Sequence, residues 1–212
     1  MNKQPFLSAI VMACGKGRRF GGNKLTALLD GKELIRYTLD ALPAHRFGEI
    51  LVVTCHPEVM ELVSQYPAPF RCIRTDDEQG EQDSTIRCGV RELSLQSEGC
   101  LFVAADQPLK LTSSLEQQVD TFVECWQRGE ECFVALSFAG KKGNPVFFPK
   151  SSYPQLAALL PGQTGSTVLK AHPEQLVLSP AQHPWEMADV DRPEDLLELE
   201  RIVQENICRN IL

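Results

Sequence analysis

Residues 7–24 read Leu-Ser-Ala-Ile-Val-Met-Ala and then Cys-Gly-Lys-Gly-Arg-Arg-Phe-Gly-Gly-Asn-Lys. The first seven form an apolar run broken only by Ser8 and closed by glycines, which predicts a buried strand leading directly into a loop. The pattern recurs at residues 49–54 (EILVVT), 70–74 (FRCIR), 100–104 (CLFVA) and 132–137 (CFVALS). Between these strands the apolar residues change to helical spacing, at 33–42, 57–65, 84–95 with Ser84 as N-cap, and 113–128. Strands that are apolar throughout and alternate with amphipathic helices imply a mostly parallel sheet covered on both faces.

After Gly140 the pattern is less regular. It predicts a strand at 144–148, short helices at 153–160 and 164–171, a strand at 175–178, and a last helix at 193–207 that opens with Pro193, Glu194 and Asp195. Residues 1–212 read as one α/β domain whose last third decorates the carboxyl-terminal edge of the sheet. In such sheets ligands bind beyond the carboxyl ends of the strands. Attention therefore falls on residues 13–24, 75–85, 105–108 and 189–191.

Composition narrows the function classes. With 212 residues, 43% hydrophobic and 23% charged, the chain has the proportions of an ordinary globular domain. No apolar run approaches the roughly 18 to 20 residues of a membrane span. Its 21 Lys and Arg against 28 Asp and Glu give a net charge of −7, which speaks against broad binding to nucleic acid. The first 24 residues nevertheless hold five basic groups (Lys3, Lys16, Arg18, Arg19, Lys24) and no acid, an arrangement suited to a small, multiply charged anion. The eight cysteines are scattered without a CxxC pair, as expected for reduced, buried thiols in a cytoplasmic protein. His45, His56, His172 and His183 show no metal-ligand spacing.

The loop 13–24 combines four glycines with four cations, and glycine lets backbone N–H groups approach phosphate oxygens. It is not a Walker A loop, since Lys24 follows Gly22 by two residues and precedes Leu25. Nor is it a dinucleotide fingerprint: the third glycine position holds Phe20, and no acid ends the second strand at Thr54-Cys55. That weighs against a Rossmann oxidoreductase.

The stretch from Met12 to Lys24 resembles the signature of the molybdopterin-type nucleotidyltransferases, the MobA/MocA-like family. Ala104-Ala105-Asp106-Gln107-Pro108-Leu109 resembles the Asp-Gln-Pro variant of its cytidylyl-transferring branch. Residues 188–196, ADVDRPEDL, resemble its acidic C-terminal motif, and Gly80 to Val90 its Gly-x-x-x-Ser-x-x-x-Gly segment. Residues 143–147 and 162–166 match its later Gly-Asn-Pro and Gly-x-x-Gly segments. Together these cover residues 7–200 in order.

The resemblance implies a Rossmann-like three-layer α/β/α, GT-A-like fold with a nucleotide-binding part (1–110) and an acceptor-substrate part (111–212). It implies that Ala13, Cys14, Gly15, Gly17, Gly80 and Ser84 bind the nucleotide. Arg19, Lys24 and Asp106 would then be catalytic, Asp106 and Asp191 would hold Mg2+, with Asp189 on the same strand face, and Asn144, Pro145, Gly162 and Gly165 would face the acceptor. Arg18 falls on a variable position. The implied reaction moves CMP from CTP to the phosphate of molybdenum-bound molybdopterin, with a molybdenum hydroxylase as candidate recipient of the product.

Two departures stand out. Cys14 occupies the position, usually Ala or Gly, that helps separate cytosine from guanine nucleotides, and Gln163 replaces an acid. GTP-dependent guanylyl transfer and transfer to a sugar or alditol phosphate are therefore alternatives, as is a carrier of nucleotide or cofactor without catalysis. The acids at 76–83 read as a solvated loop. Trp185 is placed near the acceptor.

Overall fold

A computed structural model describes residues 4–76 and 81–207. Lys3, Asp77, Glu78, Gly80 and Cys208, singled out or counted above, lie outside the described residues. The elements run β1 (Phe6–Met12), a small hairpin of β2 (Leu28–Leu29) and β3 (Lys32–Glu33), α1 (Leu34–Ala41), β4 (Glu49–Thr54), α2 (Pro57–Ser64), β5 (Phe70–Arg74), α3 (Gln82–Arg91) and β6 (Ser97–Ala104). There follow α4 (Thr112–Gln127), β7 (Phe133–Phe138), β8 (Lys141–Pro149), α5 (Tyr153–Ala157), α6 (Gly165–Ala171), β9 (Leu176–Pro180) and α7 (Pro193–Ile207).

Among the described residues the main sheet has seven strands in the order β5-β4-β1-β6-β8-β7-β9, parallel except for β8. Side-chain alternation builds the two faces. Ala9, Val11, Ile50, Val52, Leu101 and Val103 pack against α1, α2 and α4, while Ile10, Leu51, Val53, Cys100 and Phe102 pack against α3, α5 and α6. Both faces of β1, β4 and β6 are thus covered, which is why these strands read as unbroken apolar runs. Chain order reverses at β1, which lies between β4 and β6, so the switch point of the sheet falls at its carboxyl end.

The structure corrects four expectations. The last third does not merely decorate an edge: β8 lies inside the sheet, antiparallel to both β6 and β7. A two-residue turn at Ala139-Gly140, both at positive φ, folds it back from β7. Helix α3 begins at Gln82 with Glu81 as its N-cap, not at Ser84. The acids of 76–83 are not all solvated, because Asp83 is buried. Trp185 is stacked on His183 and packs with Leu29, Leu34, Leu109 and Val190, and it is not among the residues lining the cavity at Asn144 and Gly165.

That small apolar cluster matters for the site. It fastens α7 and the strap 184–191 beneath the loop that follows β6, and Val190 N donates to Asp106 O at 2.9 Å. No described helix is long and apolar enough to cross a membrane, and the seven described cysteines are unpaired.

Candidate active site

Loop 13–24 leaves β1 at the switch point, with Ala13 N still bonded to Val53 O at 2.9 Å and Thr54 Oγ1 donating to Ala13 O at 2.8 Å. Gly17 closes the loop: its carbonyl accepts from Phe20 N and Gly21 N at 2.8 and 2.9 Å. Its φ is +55°, and a Cβ there would lie 2.1 Å from Gly22 O, so only glycine fits. Asn23 then starts a single tight turn, accepting from Leu25 N at 3.1 Å and donating to Glu58 of α2 at 2.7 Å. The turn directs Lys24 inward, where it is only 6% exposed.

Three segments distant in sequence meet at this lysine. Lys24 Nζ donates to Asp106 Oδ2 at 2.8 Å, to Asp191 Oδ1 at 3.2 Å and to Val190 O at 2.5 Å. Arg19 Nη1 reaches Asp191 Oδ2 at 3.3 Å from a largely exposed position. Burial alone would push the Lys24 ammonium down, but the charge and hydrogen bond of Asp106, followed by those of Asp191, outweigh it and hold the group above its ordinary range. Lys24 is therefore charged.

Beside this cluster is a cleft of about 170 Å³ bounded by Cys14, Gly15, Lys24, Asp106, Gln82 and Thr85. Cys14 is buried, with Sγ donating to Val53 O at 3.3 Å, and desolvation pushes its thiol up to about 12. It is a filler of the cleft and not a nucleophile. Ser84 is not among the cleft residues; its hydroxyl bonds Glu81 O at 2.9 Å, and its buried neighbour Thr85 lines the cleft instead.

A second cavity of about 190 Å³ shares Met12 and Gln82 with the first and continues along the sheet to Asn144, Thr164, Gly165 and Ser166. Asn144 and Gly165 are thus brought together. Pro145 and Gly162 do not line it: Pro145 O accepts from the buried Gln118 of α4, and Gly162 N donates to Asp83 Oδ1 at 3.1 Å. Gln163 closes its own turn by accepting from Leu160 N, so the acid on this loop comes from α3. Asp83 is also paired with Arg87 at 2.5 Å, and Arg87 Nη1 donates to Leu159 O at 2.7 Å. Helix α3 is thereby clamped to the loop at residues 159–162.

Sequence reasoning missed Lys110 and Glu186, both buried. The Glu186 carboxylate accepts from the backbone N–H groups of Leu111, Gln182 and His183 at 3.1, 2.7 and 3.0 Å, while Lys110 Nζ donates to Gln107 Oε1 and Glu186 O. They bind the strap carrying Asp191 to the loop carrying Asp106. Asp189 is not paired with Asp191 at one site, since residues 188–191 are not a strand; its charge acts on Lys110. Nothing in the local pattern marks either residue as buried, since each combines partners three or four residues away with one about 75 residues distant.

Burial lowers the Lys110 pKa to about 8, opposed by Glu186, Asp106 and Asp189. Between that value and the ordinary lysine range the unfolded chain holds a proton the folded chain has released, so stability gains about 1.4 kcal/mol per pH unit as pH rises. Lys110→Met removes this gain. Urea unfolding of both proteins from pH 8 to 10 should show wild type gaining about 2 kcal/mol relative to the variant; parallel curves would contradict the assignment.

A glycine loop, a buried lysine and two aspartates at the switch point of such a sheet define a protein that handles nucleoside triphosphates. The chain belongs to the MobA-like NTP transferase domain family, which its residues 9–176 match, and is a nucleotidyltransferase of that family. It is similar to the purine catabolism protein PucB of Bacillus subtilis, at 28% identity over 205 residues covering 91% of this chain and 95% of that one. It is also similar to a probable molybdenum cofactor guanylyltransferase of Methanocaldococcus jannaschii, at 29% over 90 residues and 42% and 44% coverage. Among solved structures, a nucleotidyl transferase from Methanothermobacter shares the fold with a TM-score of 0.78 at 21% identity, covering 95% of this chain and 99% of that one. A Mycobacterium tuberculosis protein solved in complex with manganese shares it with a TM-score of 0.70 at 15% identity, covering 94% and 100%.

Proposed function

We propose that this nucleotidyltransferase moves CMP from CTP to the phosphate of molybdenum-bound molybdopterin, releasing pyrophosphate. The observation that carries the reading is Lys24, held between Asp106 and Asp191 at the end of a glycine loop and beside a cleft. An oxygen of the acceptor phosphate forms the new bond to the α-phosphorus of CTP as the bond to the β-phosphate oxygen breaks. Gly15 and Gly17 allow backbone N–H groups to approach the triphosphate, and Arg19 and Lys24 offset the charge that spreads toward the leaving pyrophosphate. The cavity running from Gln82 to Asn144 and Gly165 positions the acceptor for in-line attack.

Mg2+ fits the donor set. Asp106 and Asp191 offer hard carboxylate oxygens on one cation, and the described residues contain no group of three or more His, Cys, Asp or Glu side chains able to cage a metal by themselves. Such a pair, completed by substrate phosphates and water, is the usual magnesium arrangement in phosphate chemistry. Held by Asp106 and Asp191, such an ion would supply positive charge that stabilises the charge developing on the phosphates.

The CTP reading is supported by the likeness of Asp106-Gln107-Pro108 to the cytidylyl-transferring branch, with Asp106 and Cys14 both among the residues lining the cleft. The guanylyltransferase relative supports the GTP reading. A molybdenum hydroxylase is the proposed recipient of the product.

Thermal shifts with CTP, GTP, ATP and UTP, each with and without Mg2+, are paired with pyrophosphate release in the presence of the molybdenum cofactor. CTP alone should stabilise the protein, only with Mg2+, because a ligand specific to the native state raises its apparent stability. Release of pyrophosphate should require the acceptor. A shift with GTP alone replaces cytidylyl by guanylyl transfer, and nucleotide binding without pyrophosphate release identifies a carrier.

A further inference from the structure

We propose that Lys24 is the resident cation of the metal site, so that a divalent ion enters only together with the triphosphate that draws the lysine away. This rests on the proposed function. An ammonium has three N–H donors, and all three of Lys24 are engaged, on Asp106, Asp191 and Val190 O. None remains for a phosphate oxygen. To serve a nucleotide, the lysine must leave at least one of the acceptors it holds. The two carboxylates it would release are the pair assigned above to the metal.

The exchange is coupled from both directions. A divalent cation placed against Asp106 and Asp191 with Lys24 still between them would meet an ammonium a few ångströms away in a partly desolvated site, where like charges repel strongly. Lys24, for its part, is 6% exposed and cannot leave its carboxylates for water without moving the loop; it needs another anion at the same depth. The cleft it borders is where the triphosphate would supply that anion. Arg19, paired to the second oxygen of Asp191 from an exposed position, can follow either partner. The nucleotide-free site is therefore closed to free metal, and metal and nucleotide bind as one unit.

Mn2+ is the probe, and free Mn2+ is read by electron paramagnetic resonance during titration of the full-length, nucleotide-free protein, without turnover. Wild type should retain little metal. Lys24→Met, checked for folding by circular dichroism, should bind one Mn2+ about tenfold or more tightly than wild type. Adding Asp106→Asn to that variant should remove the gain, and CTP added to wild type should lower free Mn2+ below its level in the same Mn2+–CTP mixture without protein. Tight Mn2+ binding by nucleotide-free wild type, or no gain in Lys24→Met, overturns the proposal. If the variant does not fold, wild type decides alone: free Mn2+ lower than in a protein-free Mn2+–CTP control only when CTP is present supports the exchange, and metal held without CTP refutes it. Because no acceptor and no turnover are involved, failure here is distinct from failure to release pyrophosphate, which would overturn the transferase reading itself.

Discussion

Lys24→Met lowers turnover by about 100- to 1,000-fold while the fold survives, as removal of a group aimed at developing transition-state charge should. The methionine keeps the apolar stem of the buried side chain and removes the ammonium, with its charge and its three hydrogen bonds. Asp106 and Asp191 are left without the ammonium, but their side chains are 31% and 46% exposed, so water replaces it and the stability loss stays small. The effect should fall on kcat, with KM for the nucleotide changing less, because charge accumulates on the pyrophosphate only as the bond to the α-phosphorus breaks. Steady-state pyrophosphate release, with melting temperature as the control, reads both. Turnover within about threefold of wild type would remove Lys24 from the chemistry. Taken with the manganese titration, the prediction has an unusual signature: the variant that binds metal better is the one that works worse.

Arg87→Ala is expected to be the most destabilising exposed-side change near the site. Asp83 has a side chain only 4% exposed and is held by Arg87 and Gly162 N. Deleting the guanidinium leaves a buried carboxylate with one backbone donor, and breaking a buried pair in this way costs about 3 to 5 kcal/mol. For a chain of this size that corresponds to a fall of roughly 6 to 20 °C in melting temperature. Asp83→Asn in the Arg87→Ala background should recover at least half the loss, because the carboxamide keeps its bond from Gly162 N and carries no charge. A fall below about 1 kcal/mol, or no recovery in the double variant, would show the pair to be a solvated ion pair of little consequence. Because Arg87 also holds Leu159 O, the single variant should loosen residues 159–165 and raise KM for the acceptor more than for the nucleotide.

The parts of the molecule legible in the sequence are those with local causes. β1, β4 and β6 announce themselves because strands covered on both faces carry near-continuous apolar runs. The loop 13–24 is legible because its glycines and cations are contiguous, and Gly17 is required by the backbone of its own turn. Asp106 is found because it follows a strand end, where sheets of this class bind ligands. The family resemblance arises from the order of these same local features, and the matched family confirms it.

Other features depend on partners far along the chain. The apolar residues 146–148 suit a central strand, but only the pairing of β8 with both β6 and β7 places that strand inside the sheet and reverses its direction. Which of Ser84 and Thr85 faces the cleft depends on how α3 lies against the sheet, a matter of packing and not of helical spacing. Asp83 reads as one more acid in an acidic loop until Arg87 and Gly162 enclose it. Lys110 and Glu186 look like surface charges until the strap closes over them.

By itself, then, the sequence determined the class of fold, the position of the site at the carboxyl end of β1, and the residue types gathered there, because hydrophobic periodicity and turn chemistry act over a few residues. The tertiary structure alone decided that Lys24, Asp106 and Asp191, 82 and 167 positions apart from the lysine, share one hydrogen-bonded cluster. Charge pairing in a buried site depends on distance in space, and that distance is set by how α7 and its strap pack beneath the loop after β6.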